Sequence, residues 1–316
     1  MEKRIYCEAC DASAAVRIGS SSYFAAASDD DNVLRVYDRN RAGVPIARLD
    51  VAGFLAQDDE EADGEADLEG AALLGNRIYW IGSHGRSSKG RKRPMRQRFF
   101  ATAVRETRQG VKLVPAGRPY VDLLDDLREC AALKRFDLGE AAKRTPEEPG
   151  GLNIEGLAVG PSGGLLIGFR NPIPDGQALV VSLANPAQVV DGKAKAEIDL
   201  AGQLDLGGRG IRAMEYIHAT RTYLIVAGAC DDRRNFAMYH WAGTTATQPE
   251  PLHVEGLDDL NPEELMVSGS DPLGLLVDLF SDDGTSACKA VAVERRTFRG
   301  TTVSVELSRP SYLSAL

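Results

Sequence analysis

One pattern recurs five times along the chain, and no other feature of the sequence restricts the fold as strongly. The copies are CDASAAVRIGSSSYFAAASDDDNVLRVYD from Cys10, ADLEGAALLGNRIYWIGSHG from Ala66, LNIEGLAVGPSGGLLIGFRNP from Leu152, RGIRAMEYIHATRTYLIVAGACDD from Arg209 and LNPEELMVSGSDPLGLLVDLFSDDG from Leu260. Each opens on a polar or glycine turn residue, runs through a short apolar stretch and turns. A more strongly apolar stretch follows, then a Gly- or Asp-rich loop. A third run comes after each loop (VLRVYD, RFFATAV, ALVVSL, FAMYHW, KAVAVE), and several copies add a fourth, such as KLVPAG or TTVSVEL. The runs are short, rich in β-branched and aromatic residues and bounded by turn signals, which reads as strands. Four short strands per repeat make the blade of a β-propeller. The expectation is an all-β chain forming one five-bladed domain over residues 1–316, with blades starting near 10, 66, 152, 209 and 260.

Aligning the copies places Ser13, Glu69, Glu155, Arg212 and Glu263 at one equivalent position. Four of the five intervals around the ring agree with a single blade, while Glu69 to Glu155 is about thirty residues too long. Tyr120, Leu123, Leu124, Leu127 and Ala131 recur at helical spacing, so a helical insertion over 118–135 accounts for the excess. A sixth, degenerate blade there is the rival count. Ring closure is expected from the C-terminal TTVSVEL strand, supplemented by the Arg4–Cys7 segment.

Composition narrows the function classes. Net charge is −9, from 37 Lys and Arg against 46 Asp and Glu, which argues against a nucleic-acid binder acting through bulk charge. The longest apolar stretches, such as Ala178 to Val190, are short and interrupted, so no membrane span is expected. Met1 to Cys10 carries charges and no apolar core, so no secretory signal is read there and a cytoplasmic location is the expectation. Five cysteines, an odd number in a chain too long to need stapling, fit reduced thiols. Cys7 and Cys10 form one CxxC, but a zinc site needs a second pair.

The motifs CDASAAV, SDDDNVLRVY, DLEGAA, GSHG, NIEGLA, LLIGFRNP and GIRAMEY, in this order over nearly the whole chain, resemble a mainly bacterial family of β-propeller proteins of unknown function. More distantly, the EGLA-type blade starts resemble the esterase-like phytase propellers. A five-blade ring with Ser and Glu at the inner strand starts is similar to the calcium-dependent apyrases. Those two resemblances imply hydrolysis of a phosphoester or phosphoanhydride and a calcium ion. Arg212 departs from the apyrase pattern, since a guanidinium stands where a neutral ligand is implied.

In a propeller the innermost strands line the channel, so the aligned residues converge on one rim. Three glutamates and one arginine leave a charge that one Ca²⁺ would cancel, with Ser13, Glu69, Glu155 and Glu263 as oxygen ligands. The structural alternative is a ring of carboxylates held by backbone amides and neutralised by Arg212. Five loops face the same rim: Ser28 to Asn32, Ser83 to Arg98, Phe169 to Gln177, Gly228 to Asn235 and Phe280 to Ser286. They carry Asp29, Asp30, Asp31, His84, Arg86, Arg170, Asn171, Asp231, Asp232, Asp282 and Asp283, among others. The reading that follows is a hydrolase of a small phosphoester or phosphoanhydride. His84, Arg212 and Arg170 are its candidate catalytic groups, and Arg86, Asn171, Asp30, Asp31 and Asp231 its candidate substrate contacts. The alternative is a non-catalytic module binding an anionic ligand or a protein partner. The basic loop HGRSSKGRKRPMRQR either captures a polyanion or docks on the acidic run Asp58 to Glu69.

Other motifs fail on context. Gly160-Pro-Ser-Gly-Gly164 fits GxSxG but lies in a hairpin, without the helix a nucleophile elbow needs. Gly207-Gly-Arg-Gly210 precedes a strand, so it is no dinucleotide loop.

Overall fold

The computed structural model describes residues 2–57, 64–108, 110–231, 233–271, 274–282 and 285–307. Its strands are short because each apolar run is cut by a turn, and they pair with their neighbours in sequence. The first strand, β1 (Glu2–Cys7), stands apart from the four that follow, β2 (Ala14–Arg17), β3 (Tyr23–Ala27), β4 (Val33–Asp38) and β5 (Ala47–Asp50), which form one antiparallel sheet in that order. The second sheet is β6 (Leu68–Leu74), β7 (Arg77–Gly82), β8 (Phe99–Thr107) and β9 (Gly110–Tyr120). The third is β10 (Asn153–Val159), β11 (Leu165–Asn171), β12 (Ala178–Leu183) and β13 (Ile198–Leu204). The fourth is β14 (Gly210–Ile217), β15 (Thr222–Gly228), β16 (Ala237–Trp241) and β17 (Glu250–Leu252). The fifth takes β18 (Pro262–Asp271), β19 (Gly274–Ser281) and β20 (Thr297–Val305), and β1 completes it as the outermost strand.

The first strands of the five sheets pack on one another consecutively, and β18 packs back on β2, so the sheets close a ring. The protein is a five-bladed β-propeller. Glu2 to Cys7 pairs antiparallel with Thr302 to Thr297, so the first and last described strands share one blade. Closure thus follows the expected strands. KAVAVE departs from its expected strand, because residues 285–289 are helical and Val293–Arg295 form a 3₁₀ turn. The strand role passes to the next β-rich run, TFRGTTVSV.

Five apolar clusters fill the five gaps between blades. Both faces of a blade are covered by its neighbours, which is why the middle strands read as unbroken apolar runs, such as YFAAA, LLIGF and TYLIVA, without an in–out alternation. The closing gap is aromatic: Tyr6 from β1 stacks on Phe298 and meets Phe24 and Tyr37 edge-on. Aromatic burial there adds directional contacts to the hydrogen bonds of the seam.

The insertion starts later than the helical spacing suggests. Tyr120 ends β9, and helix follows at Leu123–Glu129 and Leu138–Ala141 with a 3₁₀ stretch at Ala131–Phe136 between them. Leu123, Leu127 and Leu138 cover the gap between the second and third blades. No sixth sheet is found among the described residues.

The expectation of reduced thiols fails at two residues. Cys10 and Cys288 form a disulfide between the start of the first blade and the last blade's long loop, leaving Cys7, Cys130 and Cys230 free. No helix among the described residues is long and apolar enough to cross a membrane.

Candidate functional site

Four of the five aligned residues share a backbone device. Glu69, Glu155, Arg212 and Glu263 each sit at a register shift, the extra residue between paired neighbours at the start of β6, β10, β14 and β18. A β-bulge re-aims its side chain relative to the flanking pleat. Here it groups these side chains at one channel mouth, where the ion pairs described next join Glu155, Arg212 and Glu263. Ser13 reaches the same place from the residue before β2, without a bulge. The glycine after two of the glutamates has a packing reason: a Cβ on Gly70 would lie 2.8 Å from Leu157 Cβ, and one on Gly156 2.8 Å from Ile211 Cγ2. The EG dipeptide therefore joins a channel-facing carboxylate to a point where the next blade presses in.

The mouth is cross-linked. Arg212 Nη2 donates to Glu263 Oε1 at 2.8 Å, and its Nε lies 3.7 Å from Glu155 Oε2. Arg170 Nη1 donates to Glu155 Oε1 at 2.9 Å, while its Nε and Nη2 donate to the carbonyls of Ala229 and Asp231. Ser13 Oγ lies 3.3 Å from Glu263 Oε2 and 3.1 Å from Asp11 Oδ1, and Ser28 Oγ donates to Asp11 Oδ2 at 3.0 Å. Arg96 pairs with Asp67 at 2.8 Å and with Glu65 at 2.6 Å, so the basic loop does dock on the acidic run at this residue. Residues 58–63 of that run lie outside the described residues. Glu155 and Glu263, expected as metal ligands, are thus held by arginine. Of the expected ligand ring, only Glu69 lacks a side-chain partner among the described residues.

Beside this net lies a second carboxylate group. Oxygens of Asp11, Asp29 and Asp30 lie within 4.8 Å of one another. Asp29 Oδ1 and Asp30 Oδ2 are buried without a hydrogen-bond partner, and Asp30 also forms an ion pair with Lys289. Burial, reinforced by Asp11, Glu263, Asp30 and Asp67, pushes Asp29 up to about 10. Burial raises Asp11 to about 6 against its two serine hydrogen bonds, and Asp67 to about 6 despite Arg96. Glu263 rises to about 8 through burial despite Arg212. Glu69 is driven well above the carboxylate range, first by burial and then by Glu155, Asp67 and Asp29. Asp11, Asp29, Asp30, Asp67, Glu69, Glu155 and Glu263, with Glu65 and Asp282 beside them, thus gather around Arg96, Arg170, Arg212 and Lys289.

Several residues expected at the rim have other work. His84 is 1% exposed, with Nδ1 against the Gly82 carbonyl at 2.9 Å and Nε2 unpartnered. Burial lowers it to about 4, so it is a neutral, enclosed imidazole and no proton carrier at the mouth. Arg86 donates to the carbonyls of Ala142 and Gly90, tying the insertion to the loop. Asn171 is buried and donates to the carbonyls of Pro146 and Glu148. Asp31 is paired with Arg35, and Asp231 with the exposed Arg233. Asp232 and Asp283 lie outside the described residues. The residues that sequence reasoning missed are Asp11 and Lys289. Asp11 stands two residues before an aligned serine, and Lys289 arrives from another blade.

A family model described as a protein of unknown function (DUF3616) matches residues 101–266. No curated protein matches the chain. Among solved structures, a chain of the mitotic checkpoint complex is similar at 11% identity and a TM-score of 0.38, covering 93% of this chain and 61% of that one. The dihydro-heme d1 dehydrogenase NirN is similar at 14% identity and 0.31, covering 93% and 45%. A thermostable family-43 glycoside hydrolase is similar at 13% identity and 0.44, covering 98% and 96%. The chain spans about three fifths of the first of these and under half of the second.

Proposed function

The chain belongs to the DUF3616 family of proteins of unknown function, and from that premise we propose that its channel mouth is a divalent-cation site where a small phosphoester or phosphoanhydride is bound and hydrolysed. The observation that carries the reading is the pair of buried, unpartnered carboxylate oxygens on Asp29 and Asp30, facing Asp11. An all-carboxylate oxygen set suits a hard cation such as Ca²⁺. A buried carboxyl group without a partner is otherwise costly. The cation site lies beside the glutamate ring, because Arg170 and Arg212 already hold Glu155 and Glu263.

The same carboxyl groups support a role for the cation. The buried carboxyl groups of Asp29, Glu69 and Glu263, all raised above the carboxylate range, offer an anionic ligand no positive contact of their own, and a bound cation would supply one. When bound, the metal supplies charge neutralisation and polarisation of a phosphoryl oxygen. Asp11, Asp29 and Asp30 would hold it. Arg212 and Arg170 keep Glu155 and Glu263 fixed, and Glu69, which has no ion-pair partner among the described residues, is the group free to move a proton.

A second reading, a binding module without turnover, is favoured by one observation: His84 is enclosed and neutral, so the expected proton shuttle is not at the mouth. Release of p-nitrophenol from p-nitrophenyl phosphate and of phosphate from ADP, in Ca²⁺, Mg²⁺ or Mn²⁺ against EDTA, separates the two. Metal-dependent turnover lost in Asp29→Asn and Glu69→Gln supports the hydrolase. Metal-dependent binding without turnover supports the module. Neither binding nor turnover with any of the metals overturns both.

A further inference from the structure

The opposite end of the channel is built differently. Below the rim the innermost strands enclose a cavity of about 500 Å³. Its walls are apolar, with Ala71, Leu157, Val159, Met214, Leu265 and Val267 among them. It opens where these strands end, near Arg17, His218 and Ser270, on the face away from Glu155 and Arg212. Its volume is that of a small-molecule site.

Two carboxyl groups line this apolar space. Glu264 is 4% exposed and accepts from the amides of Ala15 and Leu265 at 3.2 and 2.9 Å. Glu215, nearer the opening, accepts from the Val267 amide. Neither is ion-paired to a basic side chain among the described residues. Arg17, the nearby cation, spends Nε, Nη1 and Nη2 on the carbonyls of Ser21, Ser268 and Ser20. Burial pushes Glu215 up to about 7 despite the Val267 amide and Arg17.

We propose that this cavity is a second binding site, for a small amphiphilic amine whose apolar body fills the channel and whose ammonium group meets Glu215. The match is one of charge and polarity: apolar walls reward the body by area buried, and along those walls two acids outnumber one arginine, Arg17, whose donors are taken up by carbonyls. An anionic amphiphile would set its carboxylate against two carboxyl groups. The site shares no ligand-holding residue with the cation site at the other mouth, so it is tested in EDTA, where that site is empty.

Calorimetric titration with octylamine, octanol and octanoate separates the head group from a common chain. The expected order is octylamine tightest, by about tenfold over octanoate, with the preference over octanol lost in Glu215→Gln. Ser270→Trp, at the exposed opening, should weaken binding of all three while leaving the melting temperature in place. Octanoate binding as tightly as octylamine, no binding of octylamine at millimolar concentration, or titrations unaltered in both variants would overturn the proposal.

Discussion

Replacing Asp29 by asparagine should stabilise the metal-free protein. The native carboxyl group is pushed up to about 10 by burial and by Asp11, Glu263, Asp30 and Asp67, against an ordinary value of 3.8. A carboxyl group whose folded value is raised binds its proton more tightly in the folded state. Below pH 4 both states are protonated and the group costs nothing. Above it the unfolded chain loses the proton first, and stability falls by about 1.4 kcal/mol for each pH unit. From pH 5 to pH 7 that is about 3 kcal/mol, which for a chain of this size corresponds to roughly 5 °C in melting temperature. The asparagine side chain has no proton to lose. In EDTA the variant should therefore melt higher than the native protein at pH 7, with the gap closing toward pH 4. Added Ca²⁺ should reverse the order, because the native carboxylate then has its partner and the amide does not. Differential scanning fluorimetry of both proteins from pH 4 to 8 reads this directly. A variant that melts lower than the native protein in EDTA at pH 7, or a gap independent of pH, would refute the reasoning.

Two further outcomes follow from the same network. Arg212→Met leaves Glu263 and one oxygen of Glu155 without their guanidinium, and should cost about 3–5 kcal/mol; urea titrations of the two proteins measure it. Lys289→Gln removes the ammonium that competes for Asp30 and should tighten Ca²⁺ binding by about tenfold, read by calorimetry; unchanged affinity would place the cation away from Asp30.

The architecture was legible in the sequence because the repeat sets it. Five apolar pairs of strands, each closed by a turn, admit few other arrangements, and the equivalence of Glu69, Glu155, Arg212 and Glu263 appears in the structure as four equivalent bulges. What the repeat could not show is direction. His84 and Asn171 are polar residues in rim loops, but one faces the Gly82 carbonyl and the other fastens the connection from the insertion. Residue type is the same for a solvated side chain and for one that ties a loop. Asp11 and Lys289 escaped for different reasons: Asp11 lies just outside the repeat register, two residues before its blade's aligned serine, whereas Lys289 reaches Asp30 from another blade, at a position that no local spacing relates. The Cys10–Cys288 bond is of the same kind, since an odd count gives no pairing between residues so far apart in sequence. KAVAVE failed as a strand because β-propensity is settled by packing, and the following run had the better fit to β19 and β1.

Whether the carboxylates of Asp11, Asp29 and Asp30 form a divalent-cation site is tested most directly by calorimetric titration of Ca²⁺ into EDTA-treated, desalted protein at pH 7.5. One site per chain, lost in Asp29→Asn and retained in Asp231→Asn, is the result predicted. Absence of binding in the native protein, or binding that persists unchanged in Asp29→Asn, would contradict it.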